Sequence, residues 1–290
     1  MSLFLQLTLT GLSNGAIYAL MALGVVVIYK SSGVINFAQG AFLLVGAYVT
    51  YWAVGQVGLP WPVGVLAAIV TAAILGILVE RLALRPLIGE PIISIIMVTI
   101  GLSSLVAAII SLIWGTQSQP FPAFIPNANV TILGAVTPMD RIYAVALCGL
   151  FLLGFILFFR LTSEGIAMRA VADDQQAAMS MGISIQRIFA VAWAIAAVTA
   201  AVAGILVANI VGVSTDVGRI GLQVFPVVIL GGLDSIPGAI VGGAIIGLLQ
   251  AYTGGYIGGG TEQVIPFIIL VIMLMVKPYG LFGQRRIERV

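Results

Sequence analysis

Charge is what this sequence lacks most. Its 290 residues include 12 lysines and arginines and 10 aspartates and glutamates, 8% in all, where a soluble domain carries about 25%. A chain so poor in charge cannot cover its surface with groups that bind water. That excludes a soluble enzyme and a disordered chain, and a net charge of +2 is too small for a nucleic-acid binder. Histidine is absent altogether, which removes imidazole metal sites, histidine proton relays and Ser-His or Cys-His nucleophile pairs. The single cysteine, Cys148, sits in an apolar run and has no partner for a disulfide. No Gly-x-x-x-x-Gly-Lys-Ser/Thr sequence occurs, so the chain carries no phosphate loop of its own.

What is present in excess is apolar surface: 61% of residues are hydrophobic, and 35 are glycine, about 12% against a usual ~7%. Glycine at that level is tolerated in membrane helices. The solvent this composition fits is lipid. Residues 1–29, 31–79, 91–139, 142–159, 188–215, 235–261 and 263–276 contain no charge. About 20 apolar residues cross a bilayer as a helix, so the longer intervals hold more than one. Divided at glycine, proline and polar punctuation, the spans fall at 4–29, 38–55, 62–80, 92–114, 140–160, 188–211, 222–233, 238–256 and 262–277. The piece 222–233 is too short to cross untilted and reads as a re-entrant or broken helix. The fold class is therefore an all-α polytopic membrane protein of eight to ten transmembrane segments, forming a single domain over 1–290.

Lysine and arginine set the orientation. With nine segments, one side holds Lys30, Arg81, Arg85, Arg160, Arg169, Arg187, Lys277, Arg285, Arg286 and Arg289, and the other only Arg141 and Arg219. Ten against two puts the first side in the cytoplasm, so the N-terminus is expected outside and the C-terminus inside. Residues 1–29 read as a retained first span: they lack a basic lead, the apolar run is long, and Asn14 and Tyr18 interrupt it. Arg285, Arg286 and Arg289 are expected to rest at anionic headgroups.

Every acid, from Glu80 to Glu288, lies in or beside a break between spans. A proton- or sodium-coupled carrier generally keeps one inside the membrane, so the energy source is expected elsewhere. The polar groups within spans are neutral, among them Asn14, Asn36, Gln39, Gln223 and Gln250. They suit either a path for a small polar solute or hydrogen bonds between helices. Asn36 and Gln39 stand apart because they flank a helix break. Gly11/Gly15, Gly238/Gly242 and Gly243/Gly247 place small residues four apart, a spacing for close helix packing. Two stretches, Gly33 to Ala41 and Gly231 to Ala239, share a pattern of glycine, a polar turn, then Gly-Ala opening an apolar helix. Discontinuous helices in corresponding halves of a transporter have that form; two ordinary loops have it as well.

The loop 161–187 is long and has its own helix signals. Asp173 followed by Gln176 matches a capping box, Gln175 to Met181 are good helix formers, and Gly182 is a natural stop. A helix of about two turns is not stable alone. It docks either into a cleft of a separate cytoplasmic motor or onto lipid headgroups.

Gln176-Ala177-Ala178-x-x-x-Gly182 resembles the Glu-Ala-Ala-x-x-x-Gly loop of permease subunits in ABC importers, with glutamine in place of glutamate. The opening Gly11-Leu12-x-x-Gly15-Ala16-x-Tyr18-Ala19-Leu20, the run Ile35 to Gly40, the stretch Gly231 to Ala239 and the terminal Lys277-Pro278-Tyr279-Gly280-Leu281-Phe282-Gly283 resemble the permeases of branched-chain amino-acid importers, of the LivH-like kind. The resemblance implies a transport subunit in the bacterial inner membrane, not an enzyme and without a cofactor. It implies two cytoplasmic ATPases that bind the ATP, a second permease (LivM-like, or a second copy) and an extracytoplasmic substrate-binding protein. Arg169, Asp173, Gln176, Ala177, Ala178, Met181 and Gly182 would couple to the ATPases. Asn14, Asn36, Gln39, Gly40 and Gly238 would border the translocation path. Permeases for urea and short-chain amides resemble the sequence too, and a stand-alone solute channel is a further reading.

Overall fold

A computed structural model describes residues 2–122, 124–125, 128–132 and 134–283. The chain is helical almost throughout. Helix α1, Ser2–Ser32, is followed by α2, Gln39–Thr50, which runs on through a π-helical turn, Tyr51–Gln56. Then come α3, Trp61–Val79, with a π-helical and a 3-10 extension to Leu87, and α4, Ile92–Trp114. Beyond the loop from 115 follow α5, Met139–Leu161, α6, Ser163–Asp173, α7, Gln175–Ser180, and α8, Ile185–Val211. The last part holds α9, Asp216–Ile220, a 3-10 turn, α10, Val224–Gly231, α11, Ile236–Tyr256, and α12, Thr261–Val276.

Among the described residues six helices are long and apolar enough to cross a membrane: Leu3–Ser32, Trp61–Leu87, Ile92–Trp114, Met139–Leu161, Ile185–Val211 and Ile236–Tyr256, with Thr261–Val276 shorter. This is a multi-pass membrane protein. The nine-segment division differs from this at two places. The segment expected at 38–55 starts as the 12-residue α2, and the one expected at 222–233 is the 8-residue α10, preceded by the short α9. The second matches the broken helix expected there. Sheet is present too: the loop before α5 forms a hairpin of β1, Asn129–Ile132, and β2, Ala135–Pro138, pairing Asn129 with Pro138 and Ile132 with Ala135. Alternating burial along β2 (Ala135 and Thr137 in, Val136 and Pro138 out) is the strand period of two.

The axis of the bundle is the pair α1 and α11. The small-residue spacing does here what it suggests: a Cβ at Gly15 would lie 2.7 Å from the Gly243 carbonyl, and one at Gly11 would lie 2.8 Å from Leu248 Cα. Only glycine admits so close an approach of two backbones. Over its most apolar stretch α1 is 83% buried, whereas α4 is 11% buried, so α4 lies at the periphery with Ile93, Leu105, Leu112 and Ile113 facing out. Apolar side chains on the outside of a bundle are the arrangement for lipid.

Contacts define the two ends. Lys30 lies against Asp234, Arg169 against Phe159, and Gln175 against Ser31. Ser32, Glu80, Arg85 and Gln175 line one cavity. These residues form the basic end. At the opposite end Arg141 meets Asn14, and Gln119 bridges to Val213 through both backbone groups. Arg285, Arg286 and Arg289 lie outside the described residues.

Candidate functional site

The first break is built from residues whose polarity is spent locally. After Gly33, at φ 72°, residues 34–38 return into the bundle rather than leaving it. Asn36 Oδ1 accepts from the Ala38 amide at 2.8 Å, a turn that ends the extended piece, and Asn36 Nδ2 donates to Gln39 Oε1 at 3.2 Å. Gln39 Nε2 donates to the Met21 carbonyl at 3.1 Å and the Ala196 carbonyl at 3.4 Å. At about 1.5 Å per residue, Met21 lies about 16 Å from the Ser32 end of α1 and Ala196 about 16 Å from the Ile185 end of α8. Helix α2 therefore begins about halfway through the bundle. Gly24 leaves the room that the Gln39 amide fills. Asn36 and Gln39 are completely buried. Phe37 donates its amide to Thr99 Oγ1 of α4 at 3.3 Å and sets its ring 4.7 Å from that of Phe225.

Gly40 completes this junction. A Cβ there would strike the Gly218 carbonyl, and one at Gly221 would strike Gly40 Cα. The start of α2 thus rests backbone to backbone on α9 and the 3-10 turn that follows it. Next to it Tyr18 Oη donates to Gln223 Oε1 at 2.7 Å, and Gln250 Nε2 donates to the same oxygen at 3.2 Å. The neutral polar groups of the spans therefore meet in two clusters, one around Gln39 and one around Gln223. Asn14 is elsewhere: it accepts from Arg141 Nη1 at 3.3 Å, at the end away from the basic face.

The second break follows α10. Gly232 takes φ 111°, Ser235 Oγ accepts from the Gly238 amide at 3.0 Å, and Gly238 packs on the Gly231 carbonyl. The terminal Lys277-to-Gly283 segment covers it. The amide of Leu281 donates to the Leu230 carbonyl at 2.8 Å, and that of Phe282 to the Gly231 carbonyl at 3.0 Å. These close two of the carbonyls that a helix end leaves open. Two stretches distant in sequence are one structural unit.

The 161–187 loop is a helical hairpin at the basic end. Thr162 caps α6 by accepting from the Gly165 amide, and Gly165, Met168 and Val171 are its buried face. Arg169 donates to the Phe159 carbonyl and stands over the Phe159 ring, 5.5 Å from its centroid. The cap of α7 is Asp174, accepting from the amides of Gln176 and Ala177 at 2.8 and 3.0 Å. This corrects the capping box on Asp173: α6 runs on through Asp173, so the residue free to leave the helical region is the next one, at φ −154°. Gly182 ends the helix at φ 83°. Of α7 only Ala178 is buried; Gln176, Ala177 and Met179 are exposed, and Met181 beyond it is 83% exposed.

Two contacts near α7 were not legible beforehand. Gln175 Nε2 donates to the Ser31 carbonyl at 3.3 Å, linking the hairpin to the residue pair that precedes the first break. Glu80, 1% exposed, is held by both Arg85 Nε and Nη2 at 3.2 and 2.8 Å. Charge of opposite sign five residues apart was the available signal for the second, but the π-helical turn that brings the two together leaves no mark in the sequence.

Among the described residues no group of three or more cysteine, aspartate or glutamate side chains is placed to hold a metal. Residues 7–274 match the family model described as the permease component of branched-chain amino acid transport systems. The high-affinity branched-chain amino acid transport system permease protein LivH of Salmonella typhimurium is 31% identical, over 99% of this chain and 98% of that protein. BraD of Pseudomonas aeruginosa, also named as a high-affinity branched-chain amino acid transport system permease protein, gives the same figures. A probable LivH of Methanocaldococcus jannaschii is 30% identical over 91% of this chain and 88% of that one. Among solved structures, PsaBC from Streptococcus pneumoniae in complex with Fab superposes with a TM-score of 0.52 at 14% identity, covering 96% and 94% of the two chains. That likeness is one of fold.

Proposed function

The chain belongs to the branched-chain amino acid transport permease family, and from that premise we propose how it works. It is the membrane-spanning permease subunit of an ABC importer for branched-chain amino acids. The basic end is cytoplasmic, following the excess of lysine and arginine there, with the N-terminus outside and the membrane the bacterial inner membrane. Two separate ATPases bind ATP, a second permease or a second copy of this chain completes the path, and an extracytoplasmic binding protein delivers the solute.

The observation that carries this reading is α7. A helix of six residues is too short to persist by itself. It is held by its Asp174 cap and by Ala178, and it offers Ala177, Met179 and Met181 to a partner. Methionine suits a surface that must fit another protein. Closure of the ATPases would push α7, with Gln176, Ala177 and Met181 as the contact, the buried Ala178 seating the helix, Arg169 and Gly182 fixing the angle of the hairpin, and Asp173 exposed beside it. The push would reach the first break through Gln175 and Ser31. Asn36, Gln39 and Gly40 would border the path by holding the break rather than by touching solute, since their polar atoms are engaged. Asn14 and Gly238 would border it toward the two ends.

The test is ATP-driven uptake of labelled leucine in proteoliposomes holding the assembled importer. Gly182→Pro places a residue of fixed φ near −65° at a position of φ 83°. Uptake should fall below a tenth of the parent while insertion into the membrane is unchanged. Undiminished uptake would remove the coupling role.

A further inference from the structure

We propose that a cavity at the basic end is a binding site for the zwitterion of an aliphatic α-amino acid, reached from the side on which transported solute is released. The cavity measures about 450 Å³ and is lined by the end of α1, the first break, the end of α6, α10 and the turn after it, and the C-terminal segment. Ligand pockets run from about 300 to 1,000 Å³, so a single amino acid is within its capacity.

Its walls carry the two ends of such a ligand. Lys30 and Asp173 both line it, yet they form no salt bridge with each other. Lys30 reaches only the Asp234 carbonyl, at 3.5 Å, and Asp173 makes no ion pair or side-chain hydrogen bond among the described residues. The cavity thus presents one cation, Lys30, and two acids, the exposed Asp173 and the half-buried Asp234, a wall of mixed sign that suits a ligand carrying both charges. The α-carboxylate would take Lys30 and the α-ammonium Asp173, each gaining a charge-assisted hydrogen bond. The rest of the wall mixes Ile35, Ile229 and Leu274 with Tyr29 and Tyr279, and the three aliphatic residues give a hydrocarbon side chain a surface to rest on.

The position gives occupancy a consequence. Asp173 ends α6 of the helical hairpin, Lys30 lies in the last turn of α1, and Ile35 is in the break itself. A bound amino acid would tie the hairpin to α1 and hold the break still, so that solute accumulated inside slows its own import. The ligand class rests on the transport function proposed above, whereas the placement of the charges does not.

The experiment measures equilibrium binding of labelled L-leucine to the purified full chain in nanodiscs, without any other subunit. Leucine should bind saturably. Leucinamide, which lacks the carboxylate, and 4-methylpentanoate, which lacks the ammonium, should compete at least tenfold more weakly. Lys30→Gln and Asp173→Asn should each weaken leucine binding tenfold or more, while Glu262→Gln at the far end should leave it unchanged. Thermal unfolding of each variant checks that it is folded. Absence of saturable binding overturns the proposal, and so does binding by both cavity variants equal to that of the parent, or competition by the two analogues equal to that of leucine. Failure of the transport function would instead appear as an assembled importer that does not carry leucine, isoleucine or valine, a measurement independent of this one.

Discussion

The chain interrupts itself at 33–38 and again at 232–235 with similar letters, and the two interruptions are secured in different ways. At the first, side chains do the securing: Asn36 and Gln39 turn inward and spend their amides on each other and on the carbonyls of Met21 and Ala196. At the second, backbone does it: amides of Leu281 and Phe282 close the carbonyls of Leu230 and Gly231 from outside. The difference follows from depth. Halfway through the bundle no water is at hand, so each polar group must be satisfied by the protein itself. At the rim, water is near and a terminal segment suffices. A shared Gly-polar-Gly-Ala pattern therefore marks a break without fixing where along the membrane normal the helix resumes.

Two substitutions and one truncation probe this contrast. The largest effect is expected from Gly40→Val, because any Cβ there meets the Gly218 carbonyl and both partners are backbone, which cannot turn aside. Overpacking costs about 1–3 kcal/mol and occasionally more, and a clash with immovable backbone belongs at the upper end, so thermal unfolding in detergent should show the steepest loss of the three. Gln39→Leu keeps the bulk but leaves Asn36 Nδ2 buried without its acceptor, a loss of about 1–3 kcal/mol. The smallest effect belongs to the second break. Ending the chain after Gly280 removes both amides from Leu230 and Gly231, and since water replaces them the expected loss is about 1 kcal/mol. If the shortened chain melts as early as the Gln39→Leu variant, the account by depth is wrong.

Much of the fold was open to reading from the letters. The uncharged intervals located the long helices, and the glycine spacing marked faces for close packing on α1 and α11 because four-residue spacing maps onto one helix face, without saying that the two faces meet each other. Gly182 was legible as a helix stop for the same local reason: positive φ favours glycine. What escaped was long-range or a matter of one residue. The stretches around Gly231 and Leu281 each stood out, but nothing local says that one covers the other. The cap of α7 moved from Asp173 to Asp174 because both residues can cap, and the choice depended on where α6 ends. The hairpin of β1 and β2 lay in a proline-rich loop whose alternation spans few residues. At the site, Asn36, Gln39 and Gly40 were singled out at a break, and the sequence could not tell that the Gln39 amide faces the carbonyls of Met21 and Ala196, since backbone acceptors have no letter.

The glycine-on-glycine meeting of α1 and α11 has a mechanical meaning. Two helices separated by flexible side chains can slip by changing rotamers, but two whose main chains touch have no such slack. Gly11, Gly15, Gly243 and Gly247 therefore lock the two helices together along the stretch where they meet. At that level neither helix can slide past the other without parting their main chains, so α1 and α11 move as one body there.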